Sequence, residues 1–118
     1  MKPSVARRWA AHLISAWAGD SRAVFAAKGG AHLSHDLSID QKPDTPEEME
    51  RIKKAGGFVS PPEEEWGGPA RVWLDANMTL PGLAMARSLG DHLVDRVGVI
   101  AEPVVSVPAP VTPRQPAP

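Results

Sequence analysis

Short apolar runs separated by polar turns occupy the first third of the chain. Residues 13–19 (LISAWAG), 22–27 (RAVFAA) and 29–34 (GGAHLS) are each short and interrupted or bounded by Gly, Asp or Ser, which is typical of short strands. Three such strands in succession predict an antiparallel meander. The polar Gly-Asp-Ser-Arg sequence at residues 19–22 would then form the turn of its first hairpin.

Residues 44–57 (DTPEEMERIKKAGG) give the clearest prediction of a helix. Thr45 is a suitable N-cap, and Pro46 stands at the first helical position, where its missing N–H is not needed. Glu48, three residues after Thr45, would complete a capping box. Gly56 and Gly57 would end the helix.

Side-chain spacing supports the same helix and predicts how it packs. Acidic and basic residues four positions apart would form ion pairs along its surface, and a narrow apolar stripe would face the rest of the protein. The predicted pairs are Glu47–Arg51 and Glu50–Lys54, and the predicted stripe is Met49, Ile52 and Ala55.

The next stretch alternates between strand-like and helix-like patterns. Residues 58–69 (FVSPPEEEWGGP) begin as a strand and continue as a loop rich in Pro, Gly and Glu, and residues 70–75 are again strand-like. Residues 82–93 (GLAMARSLGDHL) predict a second helix that ends at Gly90. Its inward-facing side chains would be Leu83, Ala86 and Leu89.

The two ends of the chain differ in composition. Residues 97–107 are rich in strand-forming residues and interrupted by Pro103, whereas residues 108–118 contain five prolines in eleven positions. The latter segment is predicted to be disordered or polyproline-like.

The first nineteen residues are basic and contain no acid, which weakly resembles a transit peptide. Because they run directly into the first strand pattern, we favour the interpretation that they belong to the domain.

Composition limits the classes of function. With 118 residues the chain is at most one small domain. A net charge of −1 provides no field favouring nucleic acid or an anionic membrane surface, and no apolar run approaches the roughly 20 residues of a membrane helix. We therefore expect neither partner. The chain has no cysteine, which excludes disulfide scaffolds and thiolate metal sites.

Four segments, in this order and spacing, resemble the metal-dependent protein serine/threonine phosphatases of type 2C. They are AGDSRAV (18–24), DQKPDTPEEMERIKKAGGFVS (40–60), ARVW (70–73) and the GLAMARSLGDH to GVIAEPVV region (82–105). One departure is Ala86, before Arg87, where the family's signature has Ser.

The resemblance implies an α+β fold, a layered α-β-β-α sandwich with two antiparallel sheets. Residues 1–107 would be part of such a domain, because the resemblance covers less than half of its usual length. A mobile flap would run through about residues 36–75. The chain is then expected to be a partial gene model or a truncated product, with exposed sheet edges that favour self-association.

The resemblance also implies the chemistry. In the family, two Mg²⁺ or Mn²⁺ ions held by Asp and Glu carboxylates activate a water that attacks phosphoserine or phosphothreonine in a phosphoprotein. The four segments that supply these ligands, the phosphate-binding Arg and the general-acid His do not occur in this sequence. Only Asp20 corresponds to a family metal ligand, at a third and weaker site. We expect Mg²⁺ or Mn²⁺ binding by this chain to be weak, and no catalytic residue is assigned.

Other clusters have simpler interpretations. His32, His35 and Asp36 could suggest a transition-metal site, but solvated loop residues are the favoured interpretation, as they are for the acidic run 63–65. Trp66 could contact a partner, although local packing is favoured. Of the remaining signature residues, Arg87 and Asp91 are interpreted as structural, joining helix to sheet, and Glu102 as positioning a strand.

The alternative function is a non-catalytic interaction module that contacts a partner through its flap and helix faces. It would require a stably folded chain. A cytoplasmic or nuclear location is expected for either function.

Overall fold

The computed structural model describes residues 13–26, 34–79 and 82–106. Within these ranges the secondary structure consists of short strands, one α-helix and one 3₁₀ helix. In chain order they are β1 (Ser15–Trp17), β2 (Val24–Ala26), β3 (Ser34–Asp36), α1 (Pro46–Lys54), β4 (Phe58–Ser60), β5 (Arg71–Trp73), the 3₁₀ helix (His92–Val97) and β6 (Val104–Ser106).

The described strands pair into three antiparallel ladders of two strands each: β1 with β6, β2 with β3, and β4 with β5. In the first ladder Ala16 lies opposite Val105. In the second, Phe25 lies opposite His35, and in the third, Val59 lies opposite Val72. The prediction of antiparallel pairing and an α+β fold class is confirmed.

The predicted meander is correct in pairing β2 with β3 and wrong in pairing β1 with β2. β1 pairs with β6, from the far end of the described chain, and not with β2. The Gly-Asp-Ser-Arg sequence is therefore a connection between two ladders and not the turn of a hairpin. The segment from β1 to β2 is instead held by residues that follow β3, since the amide of Ala23 donates to the Ser38 hydroxyl at 2.8 Å. Of the predicted third strand, only Ser34 lies in the described residues, at the start of β3.

The end of α1 is as predicted. Gly56 has a φ of 89°, the left-handed conformation that glycine adopts at low cost after a helix. Its amide donates to the carbonyl oxygen of Lys53 at 3.1 Å, and the amide of Gly57 donates to that of Ile52 at 2.9 Å. These two bonds form a Schellman motif, which satisfies carbonyl groups that the last helical turn leaves free.

The start of α1 differs from the predicted capping box. Thr45 is the N-cap and Pro46 follows it, but the Thr45 side chain makes no capping hydrogen bond. A capping box would also need the Thr45 amide to bond the Glu48 carboxylate, and that amide already donates to the carbonyl oxygen of Lys42 at 3.0 Å. The Glu48 side chain turns into the protein and is buried.

The predicted packing of α1 is also only partly correct. Ile52 is fully buried, whereas Met49 is half-buried and Ala55 is exposed. Arg51 pairs with Glu48, three residues earlier, at 2.6 Å instead of with Glu47. Contacts between α1 and the rest of the protein thus determine which of its side chains are buried or paired.

The second predicted helix, over residues 82–93, is wrong. This segment is irregular because its backbone groups bond to other parts of the protein. Leu83 and Val72 exchange two backbone hydrogen bonds, of 2.8 and 3.0 Å, and the Ser88 amide donates to the carbonyl oxygen of Ile100 at 3.1 Å. Leu89, predicted to face inward, is 81% exposed. Only the last two residues of the segment, His92 and Leu93, are helical, as the start of the 3₁₀ helix.

One apolar core lies between α1, the β4–β5 ladder and the 3₁₀ helix. Partly buried Val59, Leu74 and Leu83 pack against it. Its buried members are Ile52, Val72, Ala86, Val94, Val97 and Val99.

None of the helices in the described part of the chain has the length and apolarity that a bilayer crossing requires. The predicted polyproline tail, residues 108–118, lies outside the described residues.

Candidate functional site

The candidate site is the connection after β1 that carries Asp20, the one residue matched to a metal ligand. Asp20 is exposed. Gly19, before it, is buried and has a φ of 111°, a conformation that residues with a Cβ rarely adopt. A Cβ at Gly19 would lie 3.0 Å from the carbonyl oxygen of Arg87. The backbone therefore approaches the segment at Arg87 closely here, and Asp20 projects from a fixed turn.

Gln41 holds this turn from the protein side. Its side-chain oxygen accepts a hydrogen bond from the Gly19 amide at 2.7 Å, and its own amide donates to the Gly19 carbonyl oxygen at 3.0 Å. Its carbonyl oxygen accepts from the Ala86 amide at 2.9 Å. Gln41 is only 5% exposed, so one buried residue joins the Asp20 turn to the segment before Arg87.

The side-chain nitrogen of Gln41 is the one exception to this pairing. Among the described residues it is buried with no hydrogen-bond partner. A buried amide donor without an acceptor costs on the order of 1–3 kcal/mol. The bond that its oxygen accepts from Gly19 fixes which end of the amide faces the turn.

An ion pair braces the other end of the connection. Arg22 donates from Nε and Nη2 to the two carboxylate oxygens of Asp40, at 3.1 and 2.7 Å. The hydrogen bond from Arg22 lowers the pKa of Asp40, and the nearby charge of Arg22 acts in the same direction. Lys42 lies 4.0 Å from the same carboxylate. Arg22 and Lys42 are thus both engaged with Asp40.

A second charged cluster lies between α1 and the signature segment. Arg87 donates to the Glu48 carboxylate at 2.8 Å and to the carbonyl oxygen of Glu102 at 2.8 Å. Arg51 contacts Glu48 and also donates to the carbonyl oxygens of Ala86 and Gly98, at 2.9 and 2.8 Å. Burial opposes ionisation of Glu48, but hydrogen bonds from Arg87 and Arg51 outweigh it and lower its pKa.

This cluster is structural. It joins α1 to the segment that leads into β6, as predicted for Arg87, and Glu102 takes part through its backbone. Asp91, the other signature residue, accepts a hydrogen bond from the nearby Ser88 hydroxyl. Asp91 therefore acts locally and does not tie helix to sheet.

The described residues do not fit a two-metal centre. Asp20 supplies one carboxylate, and no group of three or more His, Cys, Asp or Glu side chains with metal-binding geometry occurs in the described ranges. His35 and Asp36 lie exposed on β3, and His32 lies outside the described residues. Hard divalent cations need six or more oxygen ligands, of which protein sites usually supply several. One carboxylate is too few.

Trp66 is 85% exposed, so the prediction that it packs locally is wrong. It lies in the loop between β4 and β5, which the Glu63 amide closes by donating to the Gly68 carbonyl oxygen at 3.0 Å. The flanking residues Glu63, Glu64 and Glu65 are exposed as well. The loop contains adjacent prolines and glycines, and Trp66 projects from it into solvent.

Sequence reasoning missed Gln41 and the Arg22–Asp40 pair. Both lie in polar segments with no periodic pattern, and their partners are 22 and 18 residues away in the chain. The Glu48 cluster is predicted in part, because the sequence indicates a structural role for Arg87. Its partner Glu48 was assigned to the capping box instead.

Comparison with known proteins identifies the family. The family model described as "Protein phosphatase 2C" matches residues 4–113. The chain belongs to the protein phosphatase 2C family. A protein named "Probable protein phosphatase 2C 12" from Oryza sativa subsp. japonica is 49% identical over 96 residues, which are 80% of this chain and 24% of that protein. "Probable protein phosphatase 2C 35" from Arabidopsis thaliana is 40% identical over 107 residues, covering 75% of this chain and 30% of that protein.

A solved structure shows the same fold. The serine-threonine phosphatase 2C from Toxoplasma gondii superposes with a TM-score of 0.70 at 24% identity, over 86% of this chain and 34% of that one. The expected fold class, a fragment of the type 2C α+β architecture, is confirmed by this match. The chain spans about a quarter of the length of the curated relatives, so it corresponds to one portion of the phosphatase 2C domain.

Proposed function

We propose that this chain is one portion of a protein serine/threonine phosphatase that hydrolyses phosphoserine and phosphothreonine in phosphoproteins, and that it has negligible activity by itself. The observation that carries the proposal is the family match over residues 4–113. Membership makes the chain a phosphatase by family. The substrate, the metal and the activity of the complete domain are the proposed part.

Asp20 is the proposed contribution to metal binding. Its carboxylate is exposed at a turn whose backbone is held at Gly19 by two hydrogen bonds to Gln41. Such a turn presents the carboxylate in a restricted direction, which suits a ligand that must meet groups from other segments. Oxygen ligands of this kind are those that Mg²⁺ and Mn²⁺ prefer.

The proposed lack of activity follows from the number of ligands. A water is activated for attack on phosphate when divalent cations lower its pKa and neutralise the phosphoryl oxygens. The described residues offer Asp20 and no cluster beside it, so no step of hydrolysis can be assigned to groups in these ranges. The remaining ligands would come from other parts of a complete domain.

The test is a phosphatase assay of the purified chain. We expect no hydrolysis of a phosphothreonine peptide above background in millimolar Mn²⁺, under conditions where the full-length rice relative serves as the active control. Asp20→Asn is the matched variant and should behave like the wild type. Metal-dependent turnover by the wild-type chain that Asp20→Asn removes would contradict the proposal, because it would show a working centre built on Asp20.

A second candidate function is a non-catalytic interaction module, favoured by one observation. Trp66 is almost fully exposed in the β4–β5 loop, within the proposed flap (about residues 36–75), and exposed tryptophans are enriched at protein interfaces. This function needs a cooperatively folded chain. A sigmoidal thermal melt of the chain alone by near-ultraviolet circular dichroism would support it, and a melt without a transition would remove it.

A further inference from the structure

Serine or threonine is followed directly by proline at three places in the sequence. The three pairs are Thr45-Pro46, Ser60-Pro61 and Thr112-Pro113. One class of protein kinase selects acceptors that precede proline, and proline is recognisable there because it has a fixed φ and no backbone N–H. Thr112 lies outside the described residues, so the structure can be compared at Thr45 and Ser60 only.

Ser60 is the last residue of β4 and leads into an exposed segment. It is extended, the conformation that a residue before proline prefers, and residues 61–67 are all exposed. In the described ranges β4 pairs with β5 and with no other strand. The end of such a short two-stranded ladder opens at low cost, so an enzyme can take up Ser60 and the residues after it without unfolding the core.

Thr45 differs from Ser60 in the structure of the residues that follow it. Both residues are half-buried, but Thr45 is the N-cap of α1, which begins at Pro46. Glu48 is buried in the first turn of that helix and bound by Arg87. A segment enters an enzyme cleft most readily as an extended peptide, which at Thr45 would unwind this turn. The structure therefore favours Ser60 as the acceptor.

The side chains beside Ser60 are suited to binding a phosphate. Ser60 lies directly opposite Arg71 in the β4–β5 ladder, so the two side chains share a face, with Cβ atoms about 5 Å apart. Trp73, two residues after Arg71 on the same face, donates from its indole nitrogen to the Ser60 hydroxyl oxygen at 2.9 Å. A cation and an N–H donor thus lie on the same face as the hydroxyl that would carry the phosphate.

Arg71 has N–H groups available for a phosphate. Its Nη1 donates to the carbonyl oxygen of Gly82 at 2.5 Å, and in the described ranges this half-buried arginine has no carboxylate partner. An arginine side chain carries five N–H donors and binds phosphate oxygens in a fixed geometry. Its remaining donors can therefore bind a phosphate on Ser60 while the bond to Gly82 is kept.

We propose that Ser60 is a phosphorylation site for a proline-directed protein kinase, and that Arg71 and Trp73 bind the resulting phosphate. The Ser60 Oγ attacks the γ-phosphorus of ATP, the bond from that phosphorus to the β–γ bridging oxygen breaks, and ADP leaves. The hydroxyl proton passes to the catalytic aspartate of the kinase. The phosphate then ties the end of β4 to β5, at the base of the loop that carries Trp66. This inference goes beyond the proposed function and is independent of it.

The first test measures which acceptor a kinase modifies. The full chain carries Thr112→Ala, which removes the third pair, and Thr45→Ser, which makes the two remaining acceptors the same residue type. It is incubated with ATP and a purified mitogen-activated protein kinase, and phosphate at each position is followed by mass spectrometry of its peptides. We expect Ser60 to react at least about tenfold faster than position 45. Pro61→Ala should slow the reaction at Ser60 by about tenfold or more.

Three outcomes of this test would overturn the proposal. Equal rates at the two positions would mean that the fold does not select Ser60. An unchanged rate in Pro61→Ala would mean that the proline is not what the kinase recognises. A kinase that modifies a control peptide but leaves Ser60 unmodified would mean that the hydroxyl is not accessible in the folded chain.

The second test measures whether Arg71 binds the phosphate. A phosphoserine has a second pKa of about 6, and a guanidinium in contact with it lowers that pKa. Phosphorus NMR titration of the phosphorylated chain should give a pKa at least about 0.5 below that of the phosphorylated Arg71→Gln variant. Arg71→Lys keeps the positive charge and should give a value between the two. Equal pKa values in the wild type and Arg71→Gln would show that the phosphate stays in solvent and would overturn the proposed binding by Arg71.

Discussion

Two regions of this chain use similar apolar residues with opposite results. Around α1, β4, β5 and the 3₁₀ helix, Ile52, Val72, Val94 and Val99 are buried and pack against one another. Along the β1–β6 ladder, Val104 and Val105 remain exposed, as does Ile14 just before β1. The first region has its packing partners within the described residues and the second does not. The two regions have apolar side chains of the same kinds, so the difference in their burial comes from the neighbours available to each.

The comparison predicts its largest effect at Ile52. Ile52→Ala removes a fully buried side chain from the core and should lower the free energy of unfolding by about 3 kcal/mol. Ile14→Ala, at the exposed position just before β1, is the matched control, and the loss there should stay below about 0.5 kcal/mol. Urea unfolding followed by tryptophan fluorescence measures both. Equal losses would show that the two regions are packed alike.

A somewhat smaller effect is expected from the buried charge that joins the two regions. Glu48→Gln leaves Arg51 and Arg87 without their carboxylate and should cost about 2 kcal/mol. The exposed neighbour Glu47 provides the control, since Glu47→Gln should change stability by less than about 0.5 kcal/mol. Thermal melts at pH 7 compare the two. A Glu48→Gln protein as stable as the wild type would mean that the cluster does not hold α1 against the segment leading into β6.

The same carboxylate predicts a pH dependence. Its folded-state pKa lies below the ordinary value of 4.5, so the unfolded chain binds the proton more readily than the folded chain. The stability contributed by Glu48 is therefore fully present above pH 4.5 and is lost as the pH falls through the lower folded-state value. Stability measured from pH 6 to pH 2 should fall less steeply in Glu48→Gln than in Glu47→Gln. Parallel curves would assign the acid sensitivity to other groups.

Next in size is the hydrogen bonding of the Asp20 turn. Gln41→Leu removes the acceptor of the Gly19 amide and also the unpaired side-chain nitrogen, so the two effects partly cancel. A net loss of about 1 kcal/mol is expected, together with faster hydrogen exchange at the Gly19 amide. Asp20→Asn keeps the backbone and should alter neither. Unchanged exchange in Gln41→Leu would show that the turn is held without this side chain.

The smallest effect is expected at Val105, an exposed residue of the β1–β6 ladder. Val105→Lys should leave the stability of the chain alone within about 0.5 kcal/mol of the wild type, because the side chain is already mostly in water. If this substitution destabilised the isolated chain as strongly as Ile52→Ala, the β1–β6 ladder would be packed as tightly as the core. Chemical unfolding of the three proteins side by side provides the measurement.

The features predicted correctly from the sequence are those set by neighbouring residues. The end of α1 follows from Gly56 and Gly57, which complete a Schellman motif locally. The β4 and β5 strands fall within the predicted segments for the same reason. The helix predicted at residues 82–93 failed because the backbone at Leu83 and Ser88 bonds to Val72 and Ile100, and no local pattern reveals such partners.

The candidate site likewise has one part that the local sequence indicates and one part that depends on distant contacts. Asp20 was identified through the Gly-Asp-Ser-Arg motif, and its role as a metal ligand stays a prediction. Gln41 holds the turn through Gly19, from which it is 22 positions away, and although it lies in a segment that resembles the family, nothing in the sequence indicates this contact. A motif can specify a functional side chain, but the geometry of that side chain depends on contacts between segments that are distant in sequence.

The sequence by itself determined the family, the position and end of α1, and the presence of a single candidate metal carboxylate, because motifs, caps and residue types are local properties. Only the tertiary structure decided that β1 pairs with β6, that Glu48 binds two arginines instead of capping its helix, and that Trp66 and Val105 face outward. Hydrogen bonds and apolar burial between distant segments outweigh weak local preferences of about 1 kcal/mol or less, and those segments meet only in the folded chain.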